Sequence, residues 1–184
     1  MLDDLRLTLQ QNIGAELTPE LCARLMASAA WYGTGGDVSL NRSGRMIEVR
    51  SAGRMAQVRD VLGPTFSLAS GHRFLMQLDH QGEPAIVVGF TRIQPGVRAE
   101  VSIWARSDRG CMGRDFISGV FRFAFDALKL GCLMALVNEG NHKSIATVLA
   151  LGFKPTGQIP GWFSPTEGAD VFTMLPDECR WLIT

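Results

Sequence analysis

Glu100-Val-Ser-Ile-Trp-Ala105, then Arg109-Gly-Cys-Met-Gly-Arg114, then Asn141-His-Lys-Ser-Ile-Ala-Thr-Val-Leu-Ala-Leu-Gly-Phe153, is the run of segments that decides the architecture of this chain. The first segment has the two-residue alternation of a strand. The second is a basic loop with two glycines. Between the loop and the third segment, residues 113–130 carry Ile117, Val120, Phe121, Ala124 and Leu128 at helical spacing. Phe116, Phe123 and Leu130 widen that apolar face, so the spacing predicts a helix buried on more than one side. Leu133 to Val137 is a short apolar run of strand length, which suits a central parallel strand. A strand, a loop with free N–H groups and a helix N-terminus together make an anion site.

Upstream of this run the pattern is a meander. Phe74 to Asp79, Ala85 to Ile93 and Arg98 to Ala105 read as three strands, joined by the turns Gln81-Gly-Glu-Pro84 and Gln94-Pro-Gly96. Downstream, a helix over Asn141–Leu151 precedes two strands near Lys154–Ile159 and Asp170–Leu175. The segment between those strands, holding Trp162 and Phe163, reads as a proline- and glycine-bearing loop. The first third is less patterned. Residues 2–13 and 18–30 predict helices, the second opened by Thr18-Pro19-Glu20, and residues 33–44 predict a glycine-bearing loop. Met46 to Arg50 suits a short strand, and Arg54 to Leu62 a short helix stopped by Gly63-Pro64. The expected organisation is a helical region with a first strand over 1–70, packed on a core over 71–184.

Antiparallel meander, helix, parallel strand, helix and two closing strands specify an α/β (α+β) fold with a mixed, mostly antiparallel sheet. This order, with the motifs below, resembles the GNAT superfamily of acyl-CoA-dependent N-acyltransferases over about residues 72–176. The resemblance implies a GNAT-like fold carrying an N-terminal helical addition. Asn141, Ser144, Gly152 and Phe153 match the register of a motif that many members carry. The local physics agrees, since Asn141 suits an N-cap and Gly152 a C-cap. The family's pyrophosphate signature is altered here. With Arg109 in its first place, Met112 and Arg114 stand at the two small positions, and Gly110 and Gly113 are displaced.

The resemblance implies site residues. Arg109, Gly110, Cys111, Met112, Gly113 and Arg114 would curl around the pyrophosphate of acetyl-CoA or another acyl-CoA. Backbone N–H groups near Ile103, Trp104 and Ala105 would polarise the thioester carbonyl, and Asn141 would line the pantetheine channel. Ala99-Glu100-Val101 resembles the opening of the ribosomal-protein N-acetyltransferase branch, which makes Glu100 the candidate base. The bland alternative is a strand residue paired with Arg92 or Arg98. Ser144 is a candidate partner for the leaving thiolate, and otherwise a first-turn hydroxyl. Where many members have a tyrosine as general acid, this chain has Val148, and its single tyrosine is Tyr32.

Composition bounds the rest. The 184 residues carry 18 basic and 18 acidic side chains, so no net charge draws the chain to nucleic acid or anionic membrane. The six arginines from Arg42 to Arg73 face only Glu48 and Asp60, and read as a solvated face or a patch for phosphate or a partner. Four distant cysteines and three scattered histidines (72, 80, 142) form no metal pattern and no disulfide framework. No apolar run reaches membrane-span length, and the N-terminus lacks a signal-peptide layout, so a cytoplasmic protein is expected. The expected activity is transfer of an acyl group from acyl-CoA to an amine, without a metal. A protein or peptide amine is the leading acceptor class, and nucleic acid a weaker one hinted at by the arginine run. The alternative is a GNAT-fold binding or regulatory module that has lost catalysis.

Overall fold

A computed structural model describes residues 36–41, 45–63, 71–106 and 112–182. The helices expected over 2–13 and 18–30 lie outside these residues, as do Arg109, Gly110 and Cys111. The chain forms β1 (Val38–Ser39), β2 (Met46–Glu48), α1 (Ala52–Leu62), β3 (Arg73–Leu78), β4 (Pro84–Gln94) and β5 (Arg98–Ala105). It continues through α2 (Arg114–Arg122), β6 (Cys132–Asn138), α3 (His142–Leu151), β7 (Lys154–Ser164) and β8 (Glu167–Met174). The strands make one eight-stranded sheet in the order β1-β2-β3-β4-β5-β6-β8-β7. Only β5 and β6 run parallel; every other neighbouring pair is antiparallel. β2 pairs with β3 and β1 with β2, so these two strands of the first 70 residues share the sheet of the core.

Alternation along the strands separates two apolar layers. Met46, Leu75, Val88, Phe90, Ala99 and Val101 face α2, which contributes Phe116, Val120 and Phe121. Ile47, Val49, Phe74, Met76 and Val87 face the other way and meet Val58 of α1 and the flank of Trp104. Gly89 is small because this second layer crowds it: a Cβ there would stand 3.0 Å from the Phe74 ring and 3.3 Å from that of Trp104.

Helix ends follow from local chemistry. Ser51 caps α1 by accepting from the Arg54 N–H, and Gly63, at φ 83°, ends it. Asn141 Oδ1 accepts the Ser144 N–H at 3.0 Å, and Gly152 closes α3 at φ 103°, in the left-handed region where a Cβ is costly. The long helix expected over 113–130 is shorter and not uniform. After Arg122 it widens into a π-helical turn over Phe123–Ala127, with the Leu128 N–H donating to the Phe123 carbonyl. Phe123, Ala124 and Phe125 are all buried, and one regular α-helical stripe cannot turn three consecutive residues inward. The segment expected to be a loop around Trp162 and Phe163 is strand. β7 and β8 extend to Ser164 and Glu167 and meet in a tight turn.

Several arginines of the 42–73 run have internal partners. Glu48, only 3% exposed, accepts Arg50 Nη2 at 2.6 Å. Arg73 Nη1 stands 3.0 Å from the other Glu48 oxygen, close enough for an ion pair. Arg54 Nη1 donates to Gln57 and to the Gly82 carbonyl. These side chains tie β2 to β3 and α1 to the β3–β4 turn, which the reading of a solvated face did not foresee.

Candidate active site

The seam between β5 and β6 is short. The parallel ladder pairs Arg98 with Cys132, Ala99 with Leu133 and Glu100 with Met134, and goes no further. Beyond that point β5 stays on β4 up to the Ile86–Ala105 pair, and β6 stays on β8 up to Asn138–Ala169. The strands therefore diverge, opening a wedge in the middle of the sheet with Glu100 at its apex. The Arg106 N–H donates to the Ala85 carbonyl on the β4 side. Strand alternation then turns the Trp104 N–H towards β4 and the N–H groups of Ile103 and Ala105 into the wedge. Of the three backbone donors expected there, two face the gap.

At the mouth of the wedge stands the α2 N-terminus. Gly113 occupies the cap position without a side-chain cap, so the first-turn N–H groups have no partner from that residue. Met112, Gly113 and Arg114 are the described part of the altered signature. Asp115, in the first turn, puts a negative charge beside any anion that docks there. A groove of about 500 Å³ lies alongside, lined by Met112, Arg114, Ile117, Arg180 and Trp181. Trp181 Nε1 donates to the Leu151 carbonyl at 2.7 Å, and the Arg180 guanidinium lies 4.9 Å from the Trp181 ring centroid. Arg180 and Trp181 were not anticipated from the sequence, because nothing local ties the C-terminal segment to α2. A diverging peptide edge, a helix N-terminus without a side-chain cap and two guanidinium groups suit a phosphate-bearing pantetheine chain.

The other expected residues are placed as follows. Asn141 uses its carbonyl oxygen as the α3 cap, which leaves only its amide N–H₂ for a ligand. Ser144 lies half-buried in the first turn of α3. Val148 is buried in the core, so no proton donor stands at that position. Glu100 is held by Arg92, whose Nη1 is 2.7 Å from Glu100 Oε1. Arg98 turns instead to Gln94 and Met134. Cys132 and Cys179 are free thiols whose pKa burial pushes up, consistent with filler roles. Among the described residues there is no cluster that could hold a metal ion.

His72 is a second group that sequence reading passed over. It stands beside Phe74 with the rings 6.3 Å apart. Burial, and then the charge of Arg92, lower its pKa below 6.5. The unfolded chain thus binds the proton more readily, and stability falls as pH drops below 6.5 and through the lower folded value. Urea unfolding at pH 7.5 and 5.5 measures this; His72→Phe should flatten the difference, and an unchanged slope would assign it to other groups.

A single parallel pair that splays past its third bridge, with α2 and α3 flanking the wedge, defines the GNAT fold, and this chain has it. Among solved structures it is similar to the spermidine/spermine N-acetyltransferase SpeG of Vibrio cholerae, at 14% identity and a TM-score of 0.61. That match covers 71% of this chain and 92% of that one. A chimera of the same enzyme with hSSAT gives 15% identity and a TM-score of 0.62, covering 75% of this chain and 99% of the other. At such identities the likeness establishes the fold, and it does not single out the ribosomal-protein branch. No family model and no curated protein matches the sequence.

Proposed function

We propose that this protein is an acyl-CoA-dependent N-acyltransferase that uses acetyl-CoA and transfers the acyl group to an amine by direct attack. The observation that carries this reading is the wedge, where β5 leaves β6 after Glu100 and turns the Ile103 and Ala105 N–H groups into the gap. Strand geometry sets these two parallel N–H groups roughly 6.6 Å apart, so one of them, not both together, can stabilise the oxyanion that forms when an amine attacks a thioester. Glu100, at the apex, takes the amine proton; the C–N bond forms, the C–S bond breaks, and the thiolate leaves with a proton from water or from Ser144. The Arg114 side of the groove holds the phosphates, together with Arg109, Gly110 and Cys111. Asn141 offers its amide to the pantetheine.

SpeG is named for spermidine and spermine, so small polyamines join peptide amines as acceptors to test. Free thiols at Cys132 and Cys179 suit a reducing, cytoplasmic setting. Among the described residues no helix is long and apolar enough to cross a membrane. A non-catalytic binding module is the second reading, favoured by the buried Val148 where a proton donor is otherwise found.

The test is thermal unfolding with acetyl-CoA, desulfo-CoA and ATP. At about 100 times its dissociation constant a ligand adds roughly 2.7 kcal/mol, which for a chain of this size raises Tm by roughly 5–10 °C. A rise with both CoA ligands and none with ATP is the expected result. No rise at millimolar acetyl-CoA would remove the acyltransferase reading.

A further inference from the structure

β4 and β5 pair Thr91 with Glu100 and Gln94 with Arg98, so Arg92 and Ile93 together oppose Ala99. This two-against-one bulge carries a non-glycine residue, Arg92, at φ 47°. Ile93 takes the core-facing place. Arg92 is turned to the side of Glu100, opposite to the layer packed on α2. Its guanidinium donates to Glu100 and at the same time lies 5.1 Å from the ring centroid of Trp162 on β7. β7 is four places from β4 in the sheet order, so the β7–β8 hairpin must reach across the wedge to make this contact. The result is a cation held between a carboxylate and an indole face, at the apex where the amine must arrive. His72, whose proton affinity already responds to the Arg92 charge, is the titratable neighbour of the cluster.

A carboxylate and an indole face are what an alkylammonium group needs: a charge partner on one side and a ring quadrupole on the other. We propose that Arg92 is a built-in occupant of the acceptor's cation subsite, and that a protonated alkylamine displaces its guanidinium from Glu100 and Trp162. The inference rests on the acyltransferase reading for the fate of the bound amine, though not for its binding. Arg92 is a specificity-determining residue here, since any acceptor must outcompete it. Its side chain is 59% exposed and that of Glu100 23%, so solvent screens the pair and displacement is cheap. A neutral or anionic acceptor gains nothing from the exchange, which makes cationic amines the substrate class.

The experiment is calorimetric titration of the whole chain with 1,4-diaminobutane, without any CoA ligand, with acetyl-CoA binding followed separately by thermal shift. Arg92→Gln should bind the diamine roughly tenfold more tightly, the size expected for losing one exposed ion pair and one cation–π contact. Arg92→Lys, which keeps the charge, should stay near the parent. Adding Glu100→Gln to Arg92→Gln should abolish the gain. Equal or weaker diamine binding by Arg92→Gln, with the acetyl-CoA shift intact, would overturn the proposal. If Arg92→Gln fails to fold, Trp162→Ala in the parent chain decides. It should change diamine affinity at least threefold, and no change would again overturn the subsite. A normal diamine response without any acetyl-CoA shift would remove the acyltransferase reading and leave the subsite standing.

Discussion

Glu100→Gln is expected to lower kcat by about 10²- to 10³-fold, with little change in the affinity for acetyl-CoA. The range is the lower part of the roughly 10²- to 10⁴-fold that a positioned general base contributes. The substitution keeps the shape of the side chain and the oxygen that accepts from Arg92 at 2.7 Å, so the bulge and the Trp162 contact should survive. What it removes is the ability to take a proton at the apex of the wedge. The wedge donors belong to the backbone of Ile103 and Ala105 and are untouched, which is why acetyl-CoA binding should persist. Steady-state kinetics with varied acceptor, alongside the acetyl-CoA thermal shift, separates the two effects. Unchanged kcat in a properly folded variant would transfer the base role to another group on that face, His72 being the first to examine.

Phe90→Ala should cost about 3–5 kcal/mol of stability, the usual range for deleting a phenyl ring from a packed core. Phe90 is fully buried on β4, and its ring stands 5.6 Å from that of Phe123 at the start of the π-helical turn. Few atoms near it can move inward. β4 is fixed by ladders on both sides, and α2 is already pulled close over Met46, whose Sδ would lie 2.5 Å from a Cβ placed at Gly119. The cavity should therefore stay open. For a chain of this size the loss corresponds to a fall in Tm of roughly 6–20 °C, read by calorimetry or circular dichroism. A loss below about 1 kcal/mol would mean that α2 collapses onto the sheet more freely than this packing allows.

The fold was readable where a period was strong and local. The alternation in β3, β4 and β5 and the Asn141 and Gly152 caps of α3 needed only neighbours in sequence. The π-helical turn was not readable, because Phe123, Ala124 and Phe125 fit a helix pattern until the sheet beneath demands all three. The extension of β7 through Trp162 and Phe163 was hidden by Pro160 and Gly161, which punctuate loops as often as edge strands. Glu100 stood out through its place in the resemblance, and Arg92 was one of the two arginines expected beside it; the bulge that presents Arg92 and its contact with Trp162 were not legible. Nothing in Thr91-Arg-Ile-Gln94 announces a bulge, and the contact with Trp162 spans 70 residues of chain. Arg180 and Trp181 share that difficulty, being brought to α2 only by the way the C-terminal segment returns over the end of α3.

The outer strand of the described sheet also bears on how the protein behaves at high concentration. β7 is exposed along nearly its whole length, and such an edge is a template on which another chain can add a strand and begin to precipitate. Pro155 and Pro160 have no N–H to offer, and breaks in register fall between Pro155 and Gly157 and between Ile159 and Ser164. Lys154, at the head of the strand, adds a charge that would have to be desolvated. The same prolines and glycines that obscure β7 in the sequence thus keep its edge an ill-matched partner for a neighbouring molecule, and so favour colloidal solubility.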